Sequence, residues 1–213
     1  MLFDQKVIQD AQRHAYKTLK NPAEVLKGAP KEVIDLYKVN PNNITSGAMI
    51  VQELPFVNTQ NTYVFEFGTN APNPTANLNN QVLGQNNVFA MYGVQLLIGI
   101  GFNGVSALNK DRIYNSRGQL SGDYSLYTGF MSMQIESNTP VQKAQTLDFC
   151  ETNSSIVYNF QQGSGLMLTN PQRLLTGRIA TFQVIITLPP LAGTVISNTA
   201  VLSCRLHGAL GLA

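Results

Sequence analysis

Residues 95–104 read QLLIGIGFNG, and the last six of them, Gly99 to Gly104, carry the G-x-G-x-x-G spacing of a dinucleotide-binding turn. An apolar run with the look of a strand precedes the glycines, and Asp123 follows at about the 20-residue distance of a ribose-binding acid. A nucleotide fold, however, needs this turn inside a β-α-β unit, with an amphipathic helix starting at the third glycine. Residues 105–122 read VSALNKDRIYNSRGQLSG, where Asn115, Ser116 and Gly118 leave room for about two helical turns. The neighbouring strand-like segments alternate in polarity, whereas a parallel sheet covered on both faces shows continuous apolar runs. No β-α-β pattern precedes the motif. The glycines therefore read as small residues easing a strand end, a bulge or close packing. No NAD or other cofactor is expected.

Working outward, the chain after Pro41 reads as strands divided by turn clusters. Ala48–Leu54 is one strand. In Thr62–Phe67, Tyr63, Phe65 and Phe67 alternate with Val64 and Glu66. An Asn- and Pro-rich loop over 68–85 leads into Val88–Ile100, where Val94, Leu96, Ile98 and Ile100 share one face and Gly93 marks a candidate division. Leu126–Glu136 sets Met131, Met133 and Ile135 against Phe130, Ser132, Gln134 and Glu136. Ser155–Phe160 is a further strand. Ile179–Leu188 opposes Phe182, Val184, Ile186 and Leu188 to Thr181, Gln183 and Thr187, and Thr199–His207 closes the series. Seven or eight half-buried strands of period two are what two packed antiparallel sheets require. The expected class is mainly β: an antiparallel β-sandwich of about eight strands over residues 42–213.

Residues 1–41 differ and read as an N-terminal helical arm. Phe3, Val7, Ala11 and Ala15 recur every four residues, with Ile8 and Leu19 widening the stripe of an amphipathic helix. Asn21-Pro22-Ala23-Glu24 supplies a cap, a proline at the first helical position and an acid in the first turn of a short second helix ending near Gly28. Pro30-Lys31-Glu32 opens a third, and Asn40-Pro41-Asn42-Asn43 is the expected hinge. A turn or two of helix is expected after Gly104.

Composition narrows the function class. Of 213 residues, 12% are charged, about half the usual ~25%, and 21 Asn and 16 Gln fill the deficit. The 44% hydrophobic content is enough for a real core. Val88–Gly101 is interrupted by Gln95 and falls short of the ~20 residues of a spanning helix. The start, MLFDQKVIQD, carries Asp4 and lacks the apolar core of a signal peptide, which predicts a soluble chain not exported by the usual route. Exposed amides hydrogen-bond without burying charge, so large contacts between subunits form readily across such surfaces. The net charge of +2 resides in the arm: residues 1–40 hold seven Lys and Arg against five acids, and residues 41–213 hold seven of each sign. Arg13, Lys17 and Lys20 belong to this excess.

Catalytic patterns are weak. Ser164, in Gly163-Ser164-Gly165, lacks the G-x-S-x-G of a nucleophile elbow. Ser203, Arg205 and His207 share one face of the last strand and read as polar surface; His14 reads as a solvated or interface residue. Asp111 and Asp123 flank Arg112 and Arg117 as structural ion pairs. Two histidines, two cysteines and scattered acids provide no metal-ligand spacing. Cys150 and Cys204 are expected as free thiols given cytosolic synthesis, with a single disulfide as the alternative. No enzyme activity, metal or small-molecule substrate is expected.

The arm MLFDQKVIQDAQRHAYKTLK (1–20), the strands TYVFEF (62–67) and NNVFAMYGVQLLIGIG (86–101), and the closing AVLSCRLHGALG (200–211) together resemble the single jelly-roll coat proteins of icosahedral viruses, most of all those of tailless bacteriophages. The resemblance spans the whole chain as architecture and rests on no single motif. It implies a capsid protein made in the host cytoplasm and located in the virion. Its partners would be copies of itself and other virion proteins. The arm departs from many coat proteins in lacking strong basic charge. By the resemblance its residues Phe3, Val7, Ala11, Ala15, Arg13, Lys17 and Lys20 lock neighbouring subunits, or touch the genome or an internal membrane weakly. Two alternatives share these features: a capsid decoration or vertex protein, and a sugar-binding attachment sandwich using Tyr114, Tyr124 and Tyr127.

Overall fold

A computed structural model describes residues 5–55, 60–68, 87–101, 112–115, 128–146, 174–176, 181–189 and 200–212. The protein is mainly β, with two antiparallel sheets and one N-terminal helix of substantial length. That helix, α1, spans Gln5–Lys20, followed by the short α2 (Pro22–Val25) and α3 (Lys31–Leu36). Among the described residues nine strands follow: β1 (Ile44–Pro55), β2 (Thr62–Glu66), β3 (Asn87–Gly101), β4 (Arg112–Asn115), β5 (Phe130–Ile135), β6 (Asn138–Gln145), β7 (Leu174–Thr176), β8 (Phe182–Thr187) and β9 (Ala200–Leu212). The strand expected at 155–160 and the helical turn expected after Gly104 lie outside the described residues.

The larger sheet runs β1-β9-β3, and β4 and β7 both pair with β3. Since β9 occupies one edge of β3 over residues 87–100, β7 at residues 88–90 and β4 at 98–101 take opposite ends of the other edge. The smaller sheet runs β2-β8-β5-β6. Between the sheets lies the main core. Tyr63, Phe65, Met131, Met133, Phe182, Val184 and Ile186 come from the smaller sheet; Ile50, Phe89, Met91, Val94, Leu96, Leu202, Cys204 and Leu206 come from the larger. These are alternate positions of each strand, as the pleat demands, except for the step from Met91 to Val94, where the β3–β9 register shifts.

Gly93 does not split β3; the strand runs through, with a register shift against β9 between Met91 and Gly93. Gly99 and Gly101 lie inside this strand, with Gly99 between Val201 of β9 and Tyr114 of β4, both antiparallel neighbours. Gly104 lies outside the described residues. The glycine spacing therefore begins in an antiparallel ladder, not at a strand-to-helix turn.

The last strand departs from the half-buried pattern expected of it. Val201, Leu202, Ser203, Cys204, Leu206, His207 and Ala209 are all buried, so both faces of β9 are covered. Close approach goes furthest at Gly208, where an added Cβ would stand 2.5 Å from the Ala90 carbonyl oxygen and 2.6 Å from the Phe89 ring. Because one obstacle is backbone in a paired strand, it cannot rotate away.

The arm also finds a home in the chain itself. Ala11, Ala15 and Leu19 of α1 join Leu26 and Tyr37 in a second core against Val88, Ala90 and Tyr92 of β3 and Ala209 of β9. A strict four-residue spacing drifts by about 40° per step on a helix, so Phe3 and Ala15 cannot share one narrow face. Phe3 lies outside the described residues, as does the Val7 side chain. Asn21 caps α2 by its carbonyl, which accepts from the Glu24 and Val25 N–H groups, rather than by its side chain. The expected hinge is anchored: Asn40 donates its N–H to Leu212 O at 3.1 Å, and its side chain accepts from the Asn42 N–H at 3.0 Å in a 3-10 turn.

Replacing Gly208 by Ala is expected to destabilise the fold by about 1–3 kcal/mol through overpacking. Urea unfolding of wild type and variant measures it; equal midpoints would contradict the described packing of β9 on β3.

Candidate functional site

The exposed side of α1 carries the strongest concentration of chemistry among the described residues. Ala11, Ala15 and Leu19 face the sheet, and Arg13, Lys17 and Lys20 project from the opposite side. On a helical projection the three cations fall in one stripe about 60° wide. They border a groove of about 550 Å³ between the flank of α1 and the start of β1, shared with Tyr16 and the polar side chains of Gln9, Gln12, Asn21 and Ser46. No carboxylate lines it.

The strand wall of the groove arises from a bulge. The β1–β9 register breaks between Thr45 and Ala48, which leaves Ser46 and Gly47 unmatched, and Gly47 adopts φ +72°. That left-handed conformation suits glycine and turns Ser46 toward the helix. Gln12 ties the helix to the sheet, donating from Nε2 to the Tyr92 hydroxyl of β3 at 3.3 Å. Burial raises the Tyr92 phenol above its ordinary range, and the Gln12 bond offsets part of the rise.

The cations are loosely held. Arg13 lies 3.6 Å from Asp10 one turn earlier, with both side chains more than half exposed, a pair of small energetic value. Lys20 places its ammonium 5.8 Å from the centroid of the Tyr16 ring. Lys17 and Lys20 sit in the last turn of α1, where the helix dipole favours positive charge. Arg13, Lys17 and Lys20 were legible as a basic excess. Tyr16, Gln9 and Gln12 could have been found by projecting them onto the same helix. Ser46 could not, because a bulge has no local signature here.

A second polar cluster lies on the other face of β9 from the main core. Ser203, Arg205 and His207 share a face, as expected, but Ser203 is fully buried and His207 only 4% exposed. The reading of Ser203 and His207 as polar surface is corrected; Arg205 between them is half-buried. Register places Glu53 opposite Ser203, Val51 and Gln95 on either side of Arg205, and Met49 and Gly93 about His207. Glu53 and Gln95 are buried too. Four residues along a strand separate Ser203 from His207 by about 13 Å, beyond direct hydrogen bonding. The Ser203 hydroxyl has no hydrogen-bond partner among the described residues.

Burial, with a smaller contribution from the Arg205 charge, pushes the His207 imidazole down to about 3 from 6.5. Cys204, on the core face of the same strand, is a buried free thiol whose ionisation burial pushes far up. It is a packing residue rather than a nucleophile. Cys150, Asp111, Asp123, Arg117 and Ser164 lie outside the described residues, as do the side chains of Arg112 and Tyr114 and all of Tyr124 and Tyr127.

Among the described residues no group of three or more His, Cys, Asp or Glu could hold a metal ion. Among those residues, too, no helix is long and apolar enough to cross a membrane. Comparison of the chain with protein-family models, with curated proteins and with solved structures found no match.

The depressed His207 value makes stability depend on pH. The unfolded chain takes up a proton near 6.5 and the folded chain only near 3, so the stabilisation is complete above pH 6.5 and is lost as pH falls toward 3. Its ceiling is about 5 kcal/mol. Unfolding midpoints measured from pH 7 to pH 4 should fall less steeply for His207→Gln than for wild type; parallel curves would show that His207 is not the titrating group.

Proposed function

We propose that this chain is a jelly roll and a virion structural protein, which assembles with copies of itself into an icosahedral shell. The single observation that carries the reading is the pairing of the strands. Setting the short β4 aside, β1 pairs with β9, β2 with β8, β3 with β7 and β5 with β6. That is the nested order of one long antiparallel ribbon folded in half. Two further pairings, β9 with β3 and β8 with β5, are those produced when the ribbon is rolled into two four-stranded sheets. On this reading β4 is an addition at the free edge of β3.

The outer face of the smaller sheet supports the assembly part. Thr62, Val64 and Glu66 of β2 align with Thr187, Ile185 and Gln183 of β8, and these with Phe130, Ser132 and Gln134 of β5. Val64 is 38% and Phe130 40% exposed, and both stand among hydroxyls and amides. Glu66 accepts a hydrogen bond from Gln183, Lys143 lies 5.2 Å from the Phe130 ring centroid, and Glu136 just after β5 accepts from the Thr181 N–H, so these three charges are engaged locally. Covering a face of this kind buries no unpaired charge, and its hydroxyls and amides keep their hydrogen bonding when the covering surface offers partners. The chain would be made in the host cytoplasm and reside in the virion, its partners being further copies and other virion proteins.

The docking of α1 changes what the arm can do. Its apolar stripe packs on β3 and β9 of the same chain, so removing residues 1–40 would bare Val88, Ala90, Tyr92 and Ala209. Any contact the helix makes with another molecule would use its exposed, cationic side.

Electron microscopy of the purified full chain tests the proposal. Closed shells of uniform diameter are expected on concentration. A protein that stays a small oligomer at every concentration would overturn the shell reading, and glycan binding by that oligomer would establish the attachment alternative.

A further inference from the structure

We propose that the outer face of the smaller sheet is a self-complementary interface, on which a second copy of this chain packs face to face about a two-fold axis running along the strands between β8 and β5. The inference deepens the shell reading and rests on it for the partner being a further copy. The face is open: Thr62, Val64, Phe130, Lys143 and Thr187 are exposed, and Ile185 among them is half-buried. Neither edge of that sheet favours an added strand. On β2 the backbone of Thr62, Val64 and Glu66 points away from β8, and Gln60 and Gln52 already donate their side-chain amides to the Thr62 and Glu66 carbonyls. On β6, Pro140 lacks an N–H, and two register shifts with Lys143 at φ +54° interrupt the ladder. Contact between copies through this sheet therefore falls on its face.

Charge selects a second copy as the occupant. Glu66 lies on β2 and Lys143 on β6, three strand spacings or about 14 Å apart, too far to pair within one chain. Glu66 bonds the neutral amide of Gln183 and Lys143 faces the Phe130 ring, so among the described residues neither charge is neutralised. The two-fold axis lays β2 of one copy over β6 of the other, and β8 over β5. Each Glu66 then meets Lys143 of the other copy, and the ion pair forms twice. Lys143 shares the row of Ser132, Ile185 and Val64, one residue pair from the row of Glu66. That offset is about 7 Å along the strand, which the flexible lysine stem spans. The same axis sets the two Phe130 rings side by side, as an aromatic pair requires. Four strands by five residues bury on the order of 800 Å² in total, the size of a weak contact. Weak contacts suffice in a closed shell, because many repeat.

Carbodiimide cross-linking of an equal mixture of unlabelled and isotope-labelled full chain tests this. A Glu66–Lys143 cross-link joining the two isotopes is expected, since a zero-length link cannot span about 14 Å within one chain. Sedimentation velocity, at concentrations below those that give shells, measures the pair itself. Glu66→Lys and Lys143→Glu should each weaken it at least about tenfold by setting like charges together. The exchange Glu66→Lys/Lys143→Glu should restore it to within about threefold of wild type. Phe130→Ser, at an exposed position, should weaken it severalfold with no change of charge. Lys27→Glu, exposed and away from this face, should leave it within about twofold of wild type. Absence of the mixed-isotope cross-link, or a folded exchange variant that pairs no better than the single ones, would overturn the proposal. So would a chain that stays monomeric and binds glycans through Phe130, which would give the face to a sugar. Shell formation is scored separately by microscopy: shells whose assembly and cross-links do not involve Glu66 and Lys143 defeat this inference alone, and a charge-dependent pair that forms no shells defeats the shell reading alone.

Discussion

The structure depends on β9 being hydrogen-bonded along both edges and covered on both faces. Its register runs from Gly211 opposite Ile44 to Val201 opposite Pro55 on one side, and from Leu212 opposite Asn87 to Ala200 opposite Ile100 on the other. The C-terminal strand thus joins two segments far earlier in the chain, and the large sheet is incomplete until the end of the sequence is in place. Non-local pairing of this kind folds slowly, because loop closure costs entropy before the ladder returns any stabilisation. Leu202, Cys204 and Leu206 then close the main core, and Ala209 on the opposite face receives the helix.

The position of α1 follows from that arrangement. A helix this short is marginal alone in water and needs a packing surface. Val88, Ala90, Tyr92 and Ala209 provide one, and small residues at 11 and 15 let the helix lie close to the sheet. Docking one side of an amphipathic helix fixes what the other side presents. Arg13, Lys17 and Lys20 are held together on the exterior beside the bulge at Ser46 and Gly47. A slight charge excess spread over forty residues becomes, in three dimensions, a local cationic groove.

The two outer faces of the sandwich consequently differ in character. The larger sheet carries the helix and a buried polar row on β9, where a histidine is kept neutral by desolvation. The smaller sheet presents threonines, amides and two exposed apolar side chains.

Features that depend on local period were legible in the order of residues alone. Alternation in 62–66, 130–135 and 182–187 fixed which side chains enter the core, since neighbouring residues of a strand point to opposite faces. The helix at 5–20 was legible for the same reason, and Gly99 lies in an antiparallel ladder as the alternation around it implied. The remaining features depend on partners brought together by folding. β6 contains Pro140 and mostly polar residues, with positive φ at Lys143; it is a strand because β5 supplies a partner along one edge. The short β4 and β7 exist as ladders on β3. Ser203 and His207 look like surface in a list of residues, yet they are buried, because covering a second face is a property of neighbours distant in sequence. The groove, likewise, needs a helix flank and a strand bulge brought together by folding, which no spacing within either segment specifies.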